Sequence, residues 1–241
     1  MSGRQRFGRV LAPVIRRIGA RTPEFRNYLI RALIGSPDLF DFPPLEARHL
    51  DNAQLFANRY DLISSMRSIE GGVIAEVGVA RGDFSEFLID QLKPKRFVAF
   101  DLFDMHEWGN AFGIPIAKYL SNMTHLEFYK RRFADRNADV VIEVGMSHLQ
   151  LAKYPDKSFD LIYIDGDHSY EGVKKDAEIA KDKVVDNGVL VFNDYLAFSA
   201  WEGAVYGVMR AVNELIVKDD WVVTGFALNL WMHYDVALRK R

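Results

Sequence analysis

Hydrophobic and polar positions follow two alternating patterns along most of the 241-residue chain. Short apolar runs bounded by glycine or charged residues predict buried strands, and segments with apolar positions three or four residues apart predict helices. Strands are predicted at 71–79, 96–103, 139–145, 159–166, 187–194, 221–228 and 230–238. Helices are predicted at 52–68, 82–92, 147–154, 170–184 and 200–216.

This alternation predicts an α/β fold, because a strand–helix–strand unit places its two strands in parallel and its helix on one face of the sheet. We therefore expect a Rossmann-like, doubly wound and mostly parallel sheet of seven strands. The last two runs are too close together for a crossover helix, so we expect an antiparallel hairpin at one edge of the sheet. In such sheets, ligands bind beyond the carboxyl ends of the strands.

The N-terminal segment differs from the rest of the chain in charge. Residues 1–36 contain eight arginines and one acidic residue, Glu24, whereas the whole chain has a net charge of −2. Apolar residues at helical spacing lie between the arginines of residues 7–18, which predicts a basic amphipathic helix. We expect a helical arm and linker at 1–50 and a single α/β domain at 51–241.

Two interpretations of this arm are open. In the first, it packs on its own domain or on a second subunit, and the protein is expected to be a homo-oligomer. In the second, it makes a peripheral contact with an anionic membrane or covers the mouth of a site.

Composition narrows the classes of function. The chain has no cysteine, which excludes disulfides, thiolate zinc sites and cysteine nucleophiles. No apolar run reaches the roughly 18–20 residues of a membrane-spanning helix, and no secretion signal is recognisable, so we expect a cytoplasmic protein. The small net charge of −2 gives no general reason to expect nucleic-acid binding.

A glycine-containing turn follows the first predicted strand of the α/β domain. The sequence EVGVARGDFS at 76–85 places Gly78 at the end of that strand and Gly82 at the start of the next helix. Helix N-termini offer free N–H groups, and glycine allows a ligand to approach the backbone closely. Asp101 ends the next strand, 19 residues after Gly82, where a carboxylate binds ribose hydroxyls in dinucleotide-binding folds. A ribose-bearing cofactor is expected.

A second group of polar residues follows two later strands. Asp165, Asp167 and His168 come after one strand, and Asn193 and Asp194 come after the next. Two carboxylates and an amide are the oxygen ligands that Mg²⁺ prefers, so Asp165, Asn193 and Asp194 are predicted to hold a divalent cation. His168 is predicted to be a general base, and Asp167 the cap of the following helix. The alternative is that all five residues cap helices and orient loops.

The two motifs resemble known enzymes. E-x-G-x-x-x-G after a strand, an acid ending the next strand and a closing antiparallel strand are similar to class I S-adenosylmethionine-dependent methyltransferases. YIDGDHSYEGVKKD at 163–176 and NGVLVFNDY at 187–195 more narrowly resemble methyltransferase family 24, which includes macrocin-type sugar O-methyltransferases and cephalosporin hydroxylase-like proteins. The resemblance covers about residues 70–235.

The resemblance implies a position for each part of S-adenosylmethionine. Glu76 and Gly78 would lie by its methionine moiety, Asp101 would bind the ribose hydroxyls, and Ser147 would lie near the adenine. Gly82, at the start of the helix after the turn, is also expected to bind the cofactor. It also implies metal-assisted O-methylation of a small-molecule or sugar hydroxyl, without a nucleic-acid partner.

Two groups of aromatic residues are expected to line the acceptor cleft. They are His106, Trp108, Phe112 and Tyr119 on one side and Tyr195, Phe198 and Trp201 on the other. Two other functions are open: a non-catalytic cofactor-binding or assembly protein, and an NAD-dependent oxidoreductase. The oxidoreductase is disfavoured because the turn lacks the G-x-G-x-x-G pattern of a pyrophosphate site.

Overall fold

The computed structural model describes residues 42–136, 138–199, 203–229 and 232–241, except for the side chain of Asp51. The basic arm predicted at 1–36 and Trp201 of the predicted acceptor cleft lie outside the described residues. Within the described ranges, no helix combines the length and the apolar character that crossing a membrane requires.

The described residues form twelve strands. These are β1 (Leu50–Phe56), β2 (Val73–Val77), β3 (Arg96–Asp101), β4 (Asn110–Ala111), β5 (Ile114–Pro115), β6 (Asp139–Val144), β7 (Phe159–Ile164), β8 (Val184–Phe192), β9 (Phe198–Ser199), β10 (Ala204–Val205), β11 (Trp221–Ala227) and β12 (Asp235–Lys240). Eight of them form one sheet in the order β1-β11-β12-β8-β7-β2-β3-β6, and β4–β5 and β9–β10 form separate hairpins. The predicted mostly parallel α/β sheet is confirmed.

Helices cover both faces of this sheet. They are α1 (Arg59–Ser64), α2 (Asp83–Leu92), α3 (Ile116–Tyr119), α4 (His125–Phe133), α5 (Ser147–Leu151), α6 (Tyr170–Lys183) and α7 (Val208–Lys218). Successive strand residues face opposite sides, so Ile74 of β2 packs with α1, α2 and α4, and Ala75 packs with α5, α6 and α7. The apolar runs of the central strands are continuous because both of their faces are buried.

An eighth strand extends the predicted sheet of seven. The helix predicted at 52–68 is wrong in its first half, where β1 pairs in parallel with β11 at the edge of the sheet. The helix α1 begins only after Asn58, whose side chain accepts a hydrogen bond from the N–H of Asp61. Pairing with an open sheet edge therefore outweighs the local helical pattern.

Two further differences concern the end of the chain. The helix predicted at 200–216 begins at Val208, because residues 203–205 belong to the turn and strand of the β9–β10 hairpin. The last two strands pair antiparallel as predicted, but β12 is inserted between β11 and β8 and does not lie at an edge. Residues at the start of β12 consequently lie beside the end of β8.

The hydrogen-bond ladder of the parallel strands continues one residue past their carboxyl ends. The N–H of Gly78 donates to Phe100, that of Asp165 to Val77 and that of Asn193 to Ile164, at 2.8, 2.7 and 3.0 Å. The N–H of Gly145 donates to the carbonyl of Asp101 at 2.9 Å. These bonds place the ends of β2, β3, β6, β7 and β8 along one edge. The residues predicted to bind the cofactor or a cation lie at these ends or in the segments that directly follow them.

Gly78 lies where the turn after β2 comes very close to the backbone of Asp165. Its φ of +80° is in the left-handed region, and a Cβ added there would lie 2.2 Å from the backbone oxygen of Asp165. The absence of a side chain thus lets the turn after β2 touch the turn after β7. Packing alone is sufficient to require glycine at this position.

Replacing Gly78 by alanine should destabilise the fold more than the same change at Gly113. Both glycines have nearly the same φ, +80° and +81°, but Gly113 has no neighbour within 4 Å of an added Cβ. The left-handed backbone costs about 1–2 kcal/mol in both variants, and overpacking adds about 1–3 kcal/mol only at Gly78. Urea unfolding of the two variants measures the difference. Equal losses of stability would show that the edge relaxes without cost.

Candidate active site

Two carboxylates and an imidazole converge beyond the ends of β7 and β8. Nε2 of His168 lies 3.3 Å from Oδ1 of Asp165 and 3.5 Å from Oδ2 of Asp194. One ligand atom from each of the three residues lies within 4.8 Å of the others. This donor set fits a divalent cation, because carboxylate oxygens and neutral imidazole nitrogens are common ligands of such ions.

His168 is held in place by its neighbours. Its ring stacks on that of Tyr206, with centroids 4.7 Å apart and an angle of 16° between the planes. Its backbone carbonyl accepts a hydrogen bond of 2.8 Å from the N–H of Gly207. The imidazole therefore faces the two carboxylates from one side, with about a quarter of its side chain (27%) exposed to solvent.

Asp194 is the more buried of the two carboxylates. Burial raises its pKa, and so does the nearby charge of Asp165, whereas His168 and His233 oppose the rise. Nδ1 of His233 lies 2.9 Å from Oδ1 of Asp194. The backbone of Asp194 has a φ of +55°, which is uncommon for a residue with a side chain. Burial and Asp165 thus disfavour the charged form of Asp194, and the two histidines offset part of this cost.

A partly exposed arginine lies on the other side of Asp165. The guanidinium of Arg59 is 3.8 Å from Oδ2 of Asp165, donates a hydrogen bond of 3.3 Å to the hydroxyl of Tyr163 and lies 4.1 Å from the centre of the Phe84 ring. Burial alone would lower the pKa of Arg59, but Tyr163, Asp165 and Asp235 raise it above its ordinary value. Arg59 therefore compensates part of the acidic charge without any metal.

Asn193 is bonded to the scaffold through its side-chain nitrogen, whereas the prediction concerns its side-chain oxygen as a cation ligand. Its side-chain amide donates to Oδ1 of Asp235 at 2.8 Å, and the hydroxyl of Tyr163 donates to Oδ2 of the same carboxylate at 2.6 Å. Burial raises the pKa of Asp235 to about 7. The amide nitrogen of Asn193 is thus committed to the scaffold, and the third group that meets the two carboxylates is His168.

The predicted ribose-binding carboxylate lies beside the glycine turn. Oδ2 of Asp101 accepts from the N–H of Val79, and Oδ1 accepts from the N–H of Phe103, both at 2.8 Å. Nδ1 of the fully buried His125 lies 3.9 Å from Oδ1 of Asp101. Asp101 therefore connects the end of β3 with the turn after β2, whatever else it binds.

Glu76 lies beneath this turn, away from solvent. Its carboxylate accepts a short hydrogen bond from the hydroxyl of Ser85, which in turn accepts one of 2.9 Å from Tyr129. Burial raises the pKa of Glu76 well above its ordinary value. The helix α2 begins after Gly82, which has a φ of +78° and provides no side-chain cap. Glu76 thus supports the turn from its buried side. Because the residue before α2 is a glycine, the N–H groups at the start of α2 have no side-chain cap from that position.

Ser147 lies at the start of α5 and has a buried partner. Its hydroxyl donates a hydrogen bond of 2.5 Å to Asp176 of α6, and the N–H of His148 donates to the same carboxylate. Burial raises the pKa of Asp176 to about 6, although both hydrogen bonds lower it. Asp176 supplies a carboxylate near the predicted adenine position, where the sequence after β6 has none.

The cap of α6 differs from the prediction. The residue at the N-cap is Ser169, whose hydroxyl accepts from the N–H of Gly172 at 3.1 Å. The predicted cap, Asp167, instead accepts from the N–H and the hydroxyl of Ser169 at 2.8 and 3.0 Å. Asp167 is therefore used within its own turn and lies outside the group that meets His168.

The aromatic residues predicted to line the acceptor cleft differ in how exposed their side chains are. Trp108 and Phe112, near and within the β4–β5 hairpin, are 48% and 79% exposed, whereas Tyr119 is buried beneath them. The hydroxyl of Tyr195 donates to the side chain of Asn213 at 2.5 Å and is thus tied to α7. His106 and Phe198 are exposed and half-buried, respectively.

Sequence reasoning missed three residues of this site: Arg59, His233 and Asp235. Arg59 was part of a predicted helix with no special signal. His233 and Asp235 are polar residues within an apolar run that predicts a strand, and that interruption is the one local sign of a role.

Asp176 should make the folded protein less stable as the pH rises from 4 to 6. In this range the folded chain retains a proton, at a pKa of about 6, that the unfolded chain has released. The Asp176→Asn variant should therefore lose less stability between pH 4 and pH 7 than the wild type, by up to about 3 kcal/mol in urea unfolding. The Asp182→Asn variant, changed at an exposed position of the same helix, should follow the wild type. Parallel curves for all three proteins would contradict the buried, protonated state.

Comparison with known proteins places this site in a family. The model of methyltransferase family 24, described as a methyltransferase domain, matches residues 75–195, half of the chain. No curated protein matches the chain significantly.

Solved structures share the fold at low sequence identity. A protein of Staphylococcus aureus provisionally identified as a caffeoyl-CoA O-methyltransferase is 16% identical, with 96% of this chain and 98% of that one covered and a TM-score of 0.53. A protein of Clostridium thermocellum provisionally identified as an rRNA methylase is also 16% identical, with 76% and 93% covered and a TM-score of 0.53. A tRNA methyltransferase of B. subtilis is 12% identical, with 77% and 67% covered and a TM-score of 0.51.

The matched region contains the glycine turn, Asp101 and the Asp165–Asp194 cluster, which are the features that the fold brings to one edge of the sheet. The chain therefore belongs to the class I S-adenosylmethionine-dependent methyltransferases, in methyltransferase family 24.

Proposed function

We propose that this methyltransferase transfers the methyl group to the hydroxyl of a small molecule or sugar, with a divalent cation bound by Asp165 and Asp194. The observation that carries the proposal is the convergence of these two carboxylates with His168 within 4.8 Å. The cofactor is proposed to lie along the turn at 76–85 and Asp101, on the adjoining strand ends. Donor and acceptor are then neighbours along one edge.

Each reactant needs a defined contribution from the chain. S-adenosylmethionine held along the turn at 76–85 would supply a methyl group from its sulfonium, exchanging the S–CH₃ bond for a bond to the acceptor oxygen. A divalent cation held by Asp165 and Asp194 would lower the pKa of a hydroxyl that it contacts. Nε2 of His168 accepts the hydroxyl proton, and Asp165 and Asp194 stabilise the resulting imidazolium.

The charge of the domain favours a small acceptor over a nucleic acid. The whole chain carries −2 and residues 1–36 carry +7, so residues 37–241 carry −9. RNA-binding surfaces are basic, because neutralising phosphates supplies most of their affinity. Trp108 and Phe112 offer exposed aromatic surface instead, which suits a flat or sugar-like molecule. Some structural neighbours are described as RNA methyltransferases, so an RNA filter-binding assay provides a direct counter-test.

A metal-free variant of this mechanism is a second candidate. Arg59, His168 and His233 already lie against the two carboxylates, at 3.8 Å or less. In this case His168 alone deprotonates the acceptor, and the carboxylates serve only to stabilise its charged form.

Asp101→Ala should weaken the binding of S-adenosylmethionine measured by calorimetry. Losing charged hydrogen bonds to the ribose hydroxyls costs about 1–3 kcal/mol, or roughly 5- to 150-fold in affinity. Because Asp101 also accepts from Val79 and Phe103, the Asp101→Asn variant is the control that retains one acceptor oxygen. A folded alanine variant with wild-type affinity would place the cofactor elsewhere.

Removing divalent cations with a chelator should abolish methyl transfer, and adding Mg²⁺ should restore it. Asp194→Asn should behave like chelation, since it removes a ligand charge. Binding of S-adenosylmethionine should survive both treatments, because the cation is proposed to contact the acceptor side alone. Full transfer in the presence of chelator would favour the metal-free variant.

His168→Ala should lower the rate of transfer by about 10²–10⁴-fold, the usual contribution of a positioned base. Its affinity for Mn²⁺, measured by paramagnetic resonance, distinguishes a base from a ligand. Wild-type Mn²⁺ affinity together with a slow rate is expected for a base. Loss of Mn²⁺ binding would instead make His168 the third ligand, and a normal rate would leave it a structural neighbour of Asp165.

A further inference from the structure

Residues 233–235 contact residues 193–195 one by one. Nδ1 of His233 lies 2.9 Å from Oδ1 of Asp194, the carbonyl of Tyr234 accepts from the N–H of Tyr195 at 2.7 Å, and Oδ1 of Asp235 accepts from Nδ2 of Asn193 at 2.8 Å. These contacts follow from the insertion of β12 beside β8, whose last registered pair is Val236 with Phe192. His233 and Tyr234, just before β12, are thereby held against the end of β8.

Of these contacts, the one from His233 reaches a proposed metal ligand directly. Its other ring nitrogen, Nε2, lies 3.3 Å from the hydroxyl oxygen of Ser199 on β9. A hydroxyl can donate to Nε2, which leaves the ring proton on Nδ1, where it points at Asp194. His233 can then donate to the carboxylate while it remains neutral.

The same connectivity of serine, histidine and aspartate occurs in hydrolases that use a serine nucleophile. Ser199 is only 1% exposed, however, so a substrate has no access to its oxygen. The relevant end of this series of contacts is therefore the carboxylate of Asp194, which His233 is placed to orient.

The surroundings of Asp194 leave its side chain few possible orientations. Its φ of +55° is unfavourable for an aspartate, and its buried carboxylate faces His168 with the other oxygen, Oδ2. The ring of Tyr206 touches both imidazoles, stacked on His168 and edge-on to His233 with centroids 6.0 Å apart. The side chain of Asp194 is therefore enclosed between two histidines that share one aromatic wall.

We propose that His233 is a positioning residue that holds the carboxylate of Asp194 in the orientation required for cation binding. The inference rests on the proposed function, since it assigns a role toward the same site. Neighbours that hydrogen-bond a metal ligand commonly change metal affinity by about 10- to 100-fold when they are removed. His233 acts through Asp194 and is not itself expected to touch the acceptor.

The first measurement is the Mn²⁺ affinity of the full chain by paramagnetic resonance. His233→Ala should weaken Mn²⁺ binding by about 10- to 100-fold. His233→Asn should recover most of the affinity, because an amide N–H can donate from nearly the same place as Nδ1. His148→Ala, changed on α5, which follows the edge strand β6, should bind Mn²⁺ like the wild type. Calorimetry with S-adenosylmethionine shows whether each variant is folded.

The second measurement does not depend on a metal. Long-range ¹⁵N–¹H spectra should show His233 protonated at Nδ1 and unprotonated at Nε2, and Asp194→Asn should shift its Nδ1 signal. A proton on Nε2 would overturn the inference, and so would wild-type Mn²⁺ affinity in a folded His233→Ala variant. If the wild type itself binds no Mn²⁺, the proposed metal site fails. In that case the spectra alone test whether His233 holds Asp194. A His233 ring whose Nδ1 proton exchanges freely with solvent would show that it does not.

Discussion

The site depends on the extension of the sheet's hydrogen-bond ladder beyond the ends of its parallel strands. Gly78, Asp165 and Asn193 each donate a backbone N–H to the neighbouring strand at 2.7–3.0 Å. A side chain at Gly78 would collide with the backbone oxygen of Asp165, so the glycine allows the two turns to touch. Backbone bonding therefore fixes the distance between the proposed cofactor side, at the turn after β2, and the acidic side before any side chain contributes.

The charges at the acidic side are balanced in stages. Arg59 lies against one oxygen of Asp165, and His168 lies between Asp165 and Asp194. His233 contacts the remaining oxygen of Asp194. These contacts explain how a folded chain tolerates two close carboxylates without a metal. The two carboxylates and His168 nevertheless keep one ligand atom each within 4.8 Å of the others, which is the arrangement that the proposed cation site requires.

The fold and the positions of the strand ends could be predicted from the sequence, whereas contacts between residues distant in the chain could not. Strand ends can be located from apolar runs, so Asp101, Asp165 and Asp194 were placed correctly at one edge of the sheet. The edge strand β1 was missed because it is stabilised by pairing with β11, a long-range contact that the local hydrophobic pattern does not reveal. Arg59 and His233 were missed for the same reason, as their partners are more than 30 residues away in the chain.

The two halves of the site also differ in how they are built. The proposed cofactor side is made from β2, β3 and β6, which pair as neighbours and are separated along the chain only by helices and the small β4–β5 hairpin. The acidic side needs residues 233–235, near the end of the chain, because β12 must insert between β8 and β11 before His233 and Asp235 reach Asp194 and Asn193. An antiparallel strand inserted in this way brings a new set of side chains to an edge otherwise formed by parallel strands. A sequence change at His233 or Tyr234 can consequently alter the proposed acceptor side while the proposed cofactor side is preserved.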